Sequence, residues 1–229
     1  MSDDQKKEDP PHRIKVRIES LSDLVFGLAL SIGSLEFLSS PARSPLGLGY
    51  NLLYFAFSFF ILVFTWLGYS RTMAVLPRET DSSLCLNLAL LFLTAIEPYL
   101  FYVLVTSPTD SDANVASTVY ALNVSGLFLV QAALSRLVIS QDKYNKVRNE
   151  RTVDSVLIAR FKSVVIAEIL VAVFFLVSTL PVFWGIHTPL GQARFIFWWS
   201  AFVVFFARRR PKSKAQKTES EPDLTDSVK

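Results

Sequence analysis

Apolar residues in this chain come in long unbroken runs separated by short polar stretches. They show neither the alternation of a half-buried strand nor the one-sided stripe of a surface helix. Six runs approach or exceed the roughly 20 residues that cross a bilayer as a helix: 21–39, 48–70, 84–106, 113–139, 157–180 and 192–207. The pattern predicts six membrane helices. In the last, the apolar stretch Phe195–Ala207 is short, and Arg208, Arg209 and Arg210 follow it as a stop-transfer anchor.

Charge gives the runs an orientation. Apart from Arg43 and Arg194, the 23 Lys and Arg residues lie in or beside alternate connecting segments: before the first run, between the second and third, between the fourth and fifth, and after the sixth. Cytoplasmic loops carry that excess, so both termini are expected in the cytoplasm of a multi-pass plasma-membrane protein. The regular alternation is independent support for an even number of spans. Residues 1–12 and 208–229 are polar and are expected to be disordered cytoplasmic ends, leaving one membrane domain over 13–207. Gln141 to Arg160 mixes charges without Pro or Gly and is expected to extend the fourth and fifth helices beyond the membrane. The basic segment before the first run is compatible with a signal peptide, but the run is long and no small-x-small site follows, which favours a retained helix.

Composition removes several classes of function. With 51% hydrophobic residues and 19 Phe, a soluble domain is excluded, and a net charge of +3 gives no reason to invoke nucleic acid. The lone Cys85 cannot form an intrachain disulfide. His12 and His187 fall in separate extramembrane segments on opposite sides, so no metal cluster is expected within one subunit. No nucleophile with a neighbouring base stands out, and an enzyme is not expected.

Polar residues at membrane depth carry the candidate chemistry, because charge near hydrocarbon is costly unless paired or facing water. Arg17 and Asp23 bracket the entrance to the first run, suggesting an ion pair or polar cluster. Ser20-x-x-Asp23 also fits a capping box with Asp in the Glu position. On a helix, Asp23, Gly27, Ser31 and Leu35 form one stripe with Leu28 and Ile32 beside it. Around a central axis, such apolar rings would make constrictions that dewet, and the Ser31 hydroxyls would offer ligands to a passing ion. Close helix packing at Gly and Ser, with the apolar residues facing lipid, accounts for the same stripe. Glu97 precedes Pro98, where a kink is expected and the carboxylate would face a water-filled crevice. Glu168 lacks an obvious charged partner, with Asn87, Asn123 and Gln131 as candidate hydrogen-bond partners. Both Glu97 and Glu168 are candidate proton sites, and Glu36 ends the first helix as a candidate outer-mouth charge.

Arg17-x-x-x-Leu21-Ser22-Asp23 resembles the Arg-x-x-x-Phe-Ser-Asp signature that opens the first helix in the transmembrane protein 175 family of potassium channels. Ser58-Phe59, Trp66, Arg71, Leu86-Asn87-Leu88, Glu97-Pro98 and Tyr120-x-Leu122-Asn123 extend the resemblance over about 13–140. The resemblance implies an all-α polytopic membrane protein with six transmembrane helices per subunit, assembled as a homotetramer in the lipid bilayer with first helices lining a central pore. It implies pore-gate positions at Leu28, Ile32 and Leu35, a selectivity hydroxyl layer at Ser31, and a helix-bracing network of Arg17, Ser22, Asp23 and Trp66. Monovalent cations, with permeant potassium preferred, are then the partners, and no cofactor is implied. Leu21 stands where the signature has Phe, Ser31 where many prokaryotic members have Thr, and Tyr69 and Ser70 where relatives often have a His pair. The competing expectation is a proton-coupled transporter or proton-permeable pathway through the intramembrane carboxylates.

Overall fold

The computed structural model describes residues 10–39, 45–76, 80–147, 154–184, 186–188, 191–192 and 194–207. Within them run six helices: α1 (Pro10–Ser39), α2 (Pro45–Val75), α3 (Asp81–Thr106), α4 (Asp110–Val147), α5 (Ser155–Ser178) and α6 (Arg194–Ala207). The architecture is all-helical as expected, apart from the two-residue strands β1 (His187–Thr188) and β2 (Gly191–Gln192), which pair antiparallel between α5 and α6.

Five helices, α1 to α5, are long and apolar enough to cross a membrane. The sixth expected span differs. At 14 residues, α6 reaches about 21 Å, against a hydrocarbon core of about 30 Å. Helices also overrun the apolar runs. α1 begins at Pro10, so Pro10–His12 form its first turn, while 1–9 and 208–229 lie outside the described residues. α4 continues to Val147 and α5 starts at Ser155 behind an Asp154 cap, with 148–153 outside the described residues. α3 starts in a capping box in which Thr80 and Ser83 satisfy each other's backbone N–H, and it runs on through Pro98.

α4 is the hub, packing on α3, α5 and α2, while α1 leans on α3 and α2 and α6 leans on α5. Burial follows that order: 56% of the most apolar stretch of α4 is covered and only 17% of that of α1. The covered residues form two clusters stacked along the bundle. One joins Phe57, Tyr120, Phe175 and Trp198, and the other joins Phe26, Tyr69, Leu90, Leu134 and Phe161.

Trp198 holds the short α6 in place. Its ring lies 4.9 Å from Phe195, 5.2 Å from Tyr120 and 5.6 Å from Phe175, and its indole N–H donates to Ser178 Oγ at 2.8 Å. Arg194, counted above among the loop residues, is buried at the start of α6, where its Nη2 donates to Asn114 Oδ1 of α4 at 2.7 Å. Replacing a buried aromatic residue by Ala opens a cavity, while Ser178 Oγ keeps its own bond to Phe175 O. Trp198→Ala is therefore expected to lower the melting temperature of the detergent-solubilised protein more than Trp198→Phe, which loses only the hydrogen bond and part of the ring. Equal losses would place the role in the hydrogen bond.

Candidate functional site

α1 presents two contrasting sides. Ser22, Phe26 and Ala29, spaced four and three apart, are buried against α2 and α3. Leu24, Leu28 and Leu35 are exposed by 67%, 58% and 64%, with Gly27, Ser31 and Ser34 among them and Ile32 at the edge at 36%. The stripe picked out in the sequence thus lies on the side of α1 that the rest of the chain leaves uncovered. The hydroxyls on that side are satisfied locally: Ser31 Oγ donates to Gly27 O at 2.8 Å and Ser34 Oγ to Leu30 O at 3.0 Å.

The expected bracing residues divide. Trp66 Nε1 of α2 donates to Asp23 Oδ1 at 2.9 Å. One residue away, Ser22 Oγ donates to Ile18 O at 2.8 Å and lies 2.7 Å from Tyr69 Oη. With the Ser22 proton on Ile18, the Tyr69 hydroxyl is the donor of that second bond. Tyr69 also sets its ring 6.0 Å from Phe26. Arg17 is not brought to Asp23: it is exposed, and six residues along a helix put the two on different faces, so the suggested ion pair is not formed. Nor is the capping box, since α1 is already helical at Ser20, whose hydroxyl donates to Val16 O at 2.9 Å.

A second polar cluster lies deeper in the bundle. Glu97 of α3 is fully buried, and its carboxylate accepts from Tyr120 Oη of α4 at 2.8 Å and from Ser58 Oγ of α2 at 2.9 Å. The expected water-filled crevice is therefore replaced by two hydroxyl donors from two other helices. Beside the Pro98 break, Asn123 Nδ2 donates to Leu93 O at 3.2 Å, one residue from the carbonyl that Pro98 leaves without its helical N–H. Glu168 of α5 is buried and accepts from Ser135 Oγ of α4 at 3.4 Å, and Ser135 Oγ stands 3.5 Å from Thr72 Oγ1 of α2. The Glu36 side chain lies outside the described residues. Among the described residues, no group of three or more His, Cys, Asp or Glu side chains gathers to hold a metal.

Residues 17–98 match a family model described as endosomal/lysosomal potassium channel TMEM175. The fold agrees with a solved structure, described as a lysosomal potassium-selective channel TMEM175 homolog from Chamaesiphon minutus. The TM-score is 0.54 with 20% identity, covering 86% of this chain and 94% of that one. Over residues 17–98 this chain is TMEM175-like. A comparison with curated protein sequences finds no match. Both similarities are to proteins described as channels rather than enzymes.

The TMEM175-like segment runs from Arg17 to Pro98 and so contains both ends of the Asp23 to Trp66 bond and both Ser58 and Glu97. Tyr69 and Tyr120 complete the two clusters, roles that sequence reading did not give them. A faint signal existed for Tyr69: Trp66 and Tyr69, three apart, put two polar-tipped rings on one side of α2. An exposed side-chain hydrogen bond of this kind contributes about 0.5–1.5 kcal/mol. Trp66→Phe keeps the ring and removes the donor, so it should cost about that much thermal stability in detergent, while Asp23→Asn, which keeps an acceptor, should cost less. A Trp66→Phe protein that melts with the wild type would show that the bond contributes nothing.

Proposed function

We propose that this protein is a potassium-preferring cation channel, a homotetramer of six-helix subunits whose α1 helices surround a central pore. The observation that carries the reading is the uncovered side of α1. On it, large apolar residues alternate with Gly27, Ser31 and Ser34, a mixture that a lipid-facing surface does not require and a narrow water path does. Leu28, Ile32 and Leu35 then form rings that shed water at rest, and conduction needs them to widen or turn aside. The similarity to proteins described as potassium channels supports the same reading.

Ser31 supplies the selective layer. Its proton is committed to Gly27 O, so the hydroxyl turns lone-pair density toward the axis, which suits a partly dehydrated cation and repels an anion. Ser22, Asp23 and Trp66 do not touch the ion and instead hold α1 against α2, and Arg17 acts at the cytoplasmic mouth. α6 completes the sixth span as a short helix, both termini lie in the cytoplasm of a plasma-membrane protein, and no cofactor is needed besides the permeant ion.

One observation favours a second reading, a proton pathway: Thr72, Ser135 and Glu168 line up oxygen atoms from three helices at 3.4–3.5 Å spacing. Glu97, closed in by Ser58 and Tyr120, is its other candidate station. Vesicles holding a potassium gradient separate the readings. Leu28→Ala or Leu35→Ala is expected to change potassium flux strongly, whereas flux indifferent to both but abolished by Glu168→Gln selects the proton pathway. The hydroxyl layer has its own test in bi-ionic permeability ratios: Ser31→Ala should lower the preference for potassium over sodium and Ser31→Thr keep or raise it. Ratios unchanged in both variants remove Ser31 from the selective layer.

A further inference from the structure

Besides Ser58, which bonds Glu97 of α3 in its first half, α2 is held toward α1 and toward α4, and these two polar holds are unequal. Toward α1 it makes the Trp66 bond to the Asp23 carboxylate at 2.9 Å and the buried Tyr69 bond to Ser22 at 2.7 Å. Toward α4, Gln131 Nε2 donates to the backbone carbonyl of Thr65 at 3.2 Å, and Thr72 and Ser135 face each other at 3.5 Å. The first pair is short. The second rests on a neutral amide at the long end of the hydrogen-bond range.

Gly68 shows how closely the α4 contact is fitted. A Cβ added there would sit 1.7 Å from Gln131 Nε2 and 2.9 Å from its Cδ, so the amide occupies the space that any other residue would fill. Gln131 is 2% exposed, and among the described residues its Oε1 has no hydrogen-bond partner. A buried amide usually satisfies both ends. Here only one end is satisfied, the Nε2 that secures α2.

We infer that Gln131, seated over Gly68, is the positioning residue that keeps the pore helix in its resting place. α1 and α2 travel as one piece when the pore widens, sliding along α3, and the polar joint that yields is the one from Gln131 on α4 to Thr65 on α2. The inference rests on the pore-lining role proposed for α1, and it assigns control of that helix to a residue two helices away that does not touch it.

Potassium flux into vesicles of defined protein content tests it, with melting temperature measured on the same preparations. Gln131→Met keeps the volume and removes the donor, and losing one hydrogen bond should raise resting flux about 2- to 10-fold per subunit involved. Gly68→Ala should raise flux in the same direction by pushing the amide off Thr65 and should lower thermal stability. Gly68→Ala combined with Gln131→Ala gives the new methyl its space, so stability should return toward the wild type while flux stays raised, a split that a purely structural role would not produce. If Gly68→Ala does not fold, Gln131→Met decides. Flux for Gln131→Met at or below the wild-type level, in vesicles where Leu35→Ala does change flux, overturns the seat and leaves the pore intact. If Leu35→Ala itself changes nothing, the pore reading has failed and the seat falls with it.

Discussion

Hydrocarbon offers no hydrogen-bond partner, so a polar side chain at membrane depth has to find one inside the protein; hydroxyls can use their own helix, but for Asp23, Glu97 and Gln131 the partners lie on neighbouring helices. Asp23 reaches α2 through Trp66, Glu97 draws in α2 and α4 through Ser58 and Tyr120, and Gln131 reaches α2 at Thr65. Packing alone discriminates weakly among apolar helices in a bilayer, since a lipid chain is nearly as good a neighbour as a leucine. The few polar bonds therefore set which helix faces which and at what height. Leu, Val and Phe fill the space between these fixed points.

α2 takes part in each of these attachments. Its N-terminal half offers Ser58 to Glu97, and its C-terminal half offers Trp66 and Tyr69 to α1 and the Thr65 carbonyl to α4. α4 supplies the bulk of the core, while α2 transmits the core's position to α1. That division explains how a helix with only 17% of its apolar stretch covered can still be held at a definite angle.

The helical framework was legible because hydropathy reports directly on contact with hydrocarbon, and α2 to α5 appear where long apolar runs stand. Boundaries were less so. The first turns of α1 and the last of α4 project among polar residues, and hydropathy carries no signal there even though the backbone continues as helix. Site residues followed the same logic. The Asp23, Gly27, Ser31, Leu35 stripe could be read because residues on one helix share a face at fixed intervals. The partners of Glu97 could not, since Ser58 and Tyr120 lie 39 and 23 positions away and local periodicity says nothing about which helices meet. The Arg17 and Asp23 pairing failed for a related reason: opposite charge suggested a partner that helix geometry turns away.

The serines of α1 have one more consequence. Ser20, Ser31 and Ser34 each give their proton to a carbonyl one turn back on the same helix, at Val16, Gly27 and Leu30. This side of the helix can therefore meet acyl chains and leave none of these three hydroxyl protons unsatisfied. Its serines tolerate hydrocarbon as well as water, so their hydroxyls do not by themselves force a polar neighbour upon it.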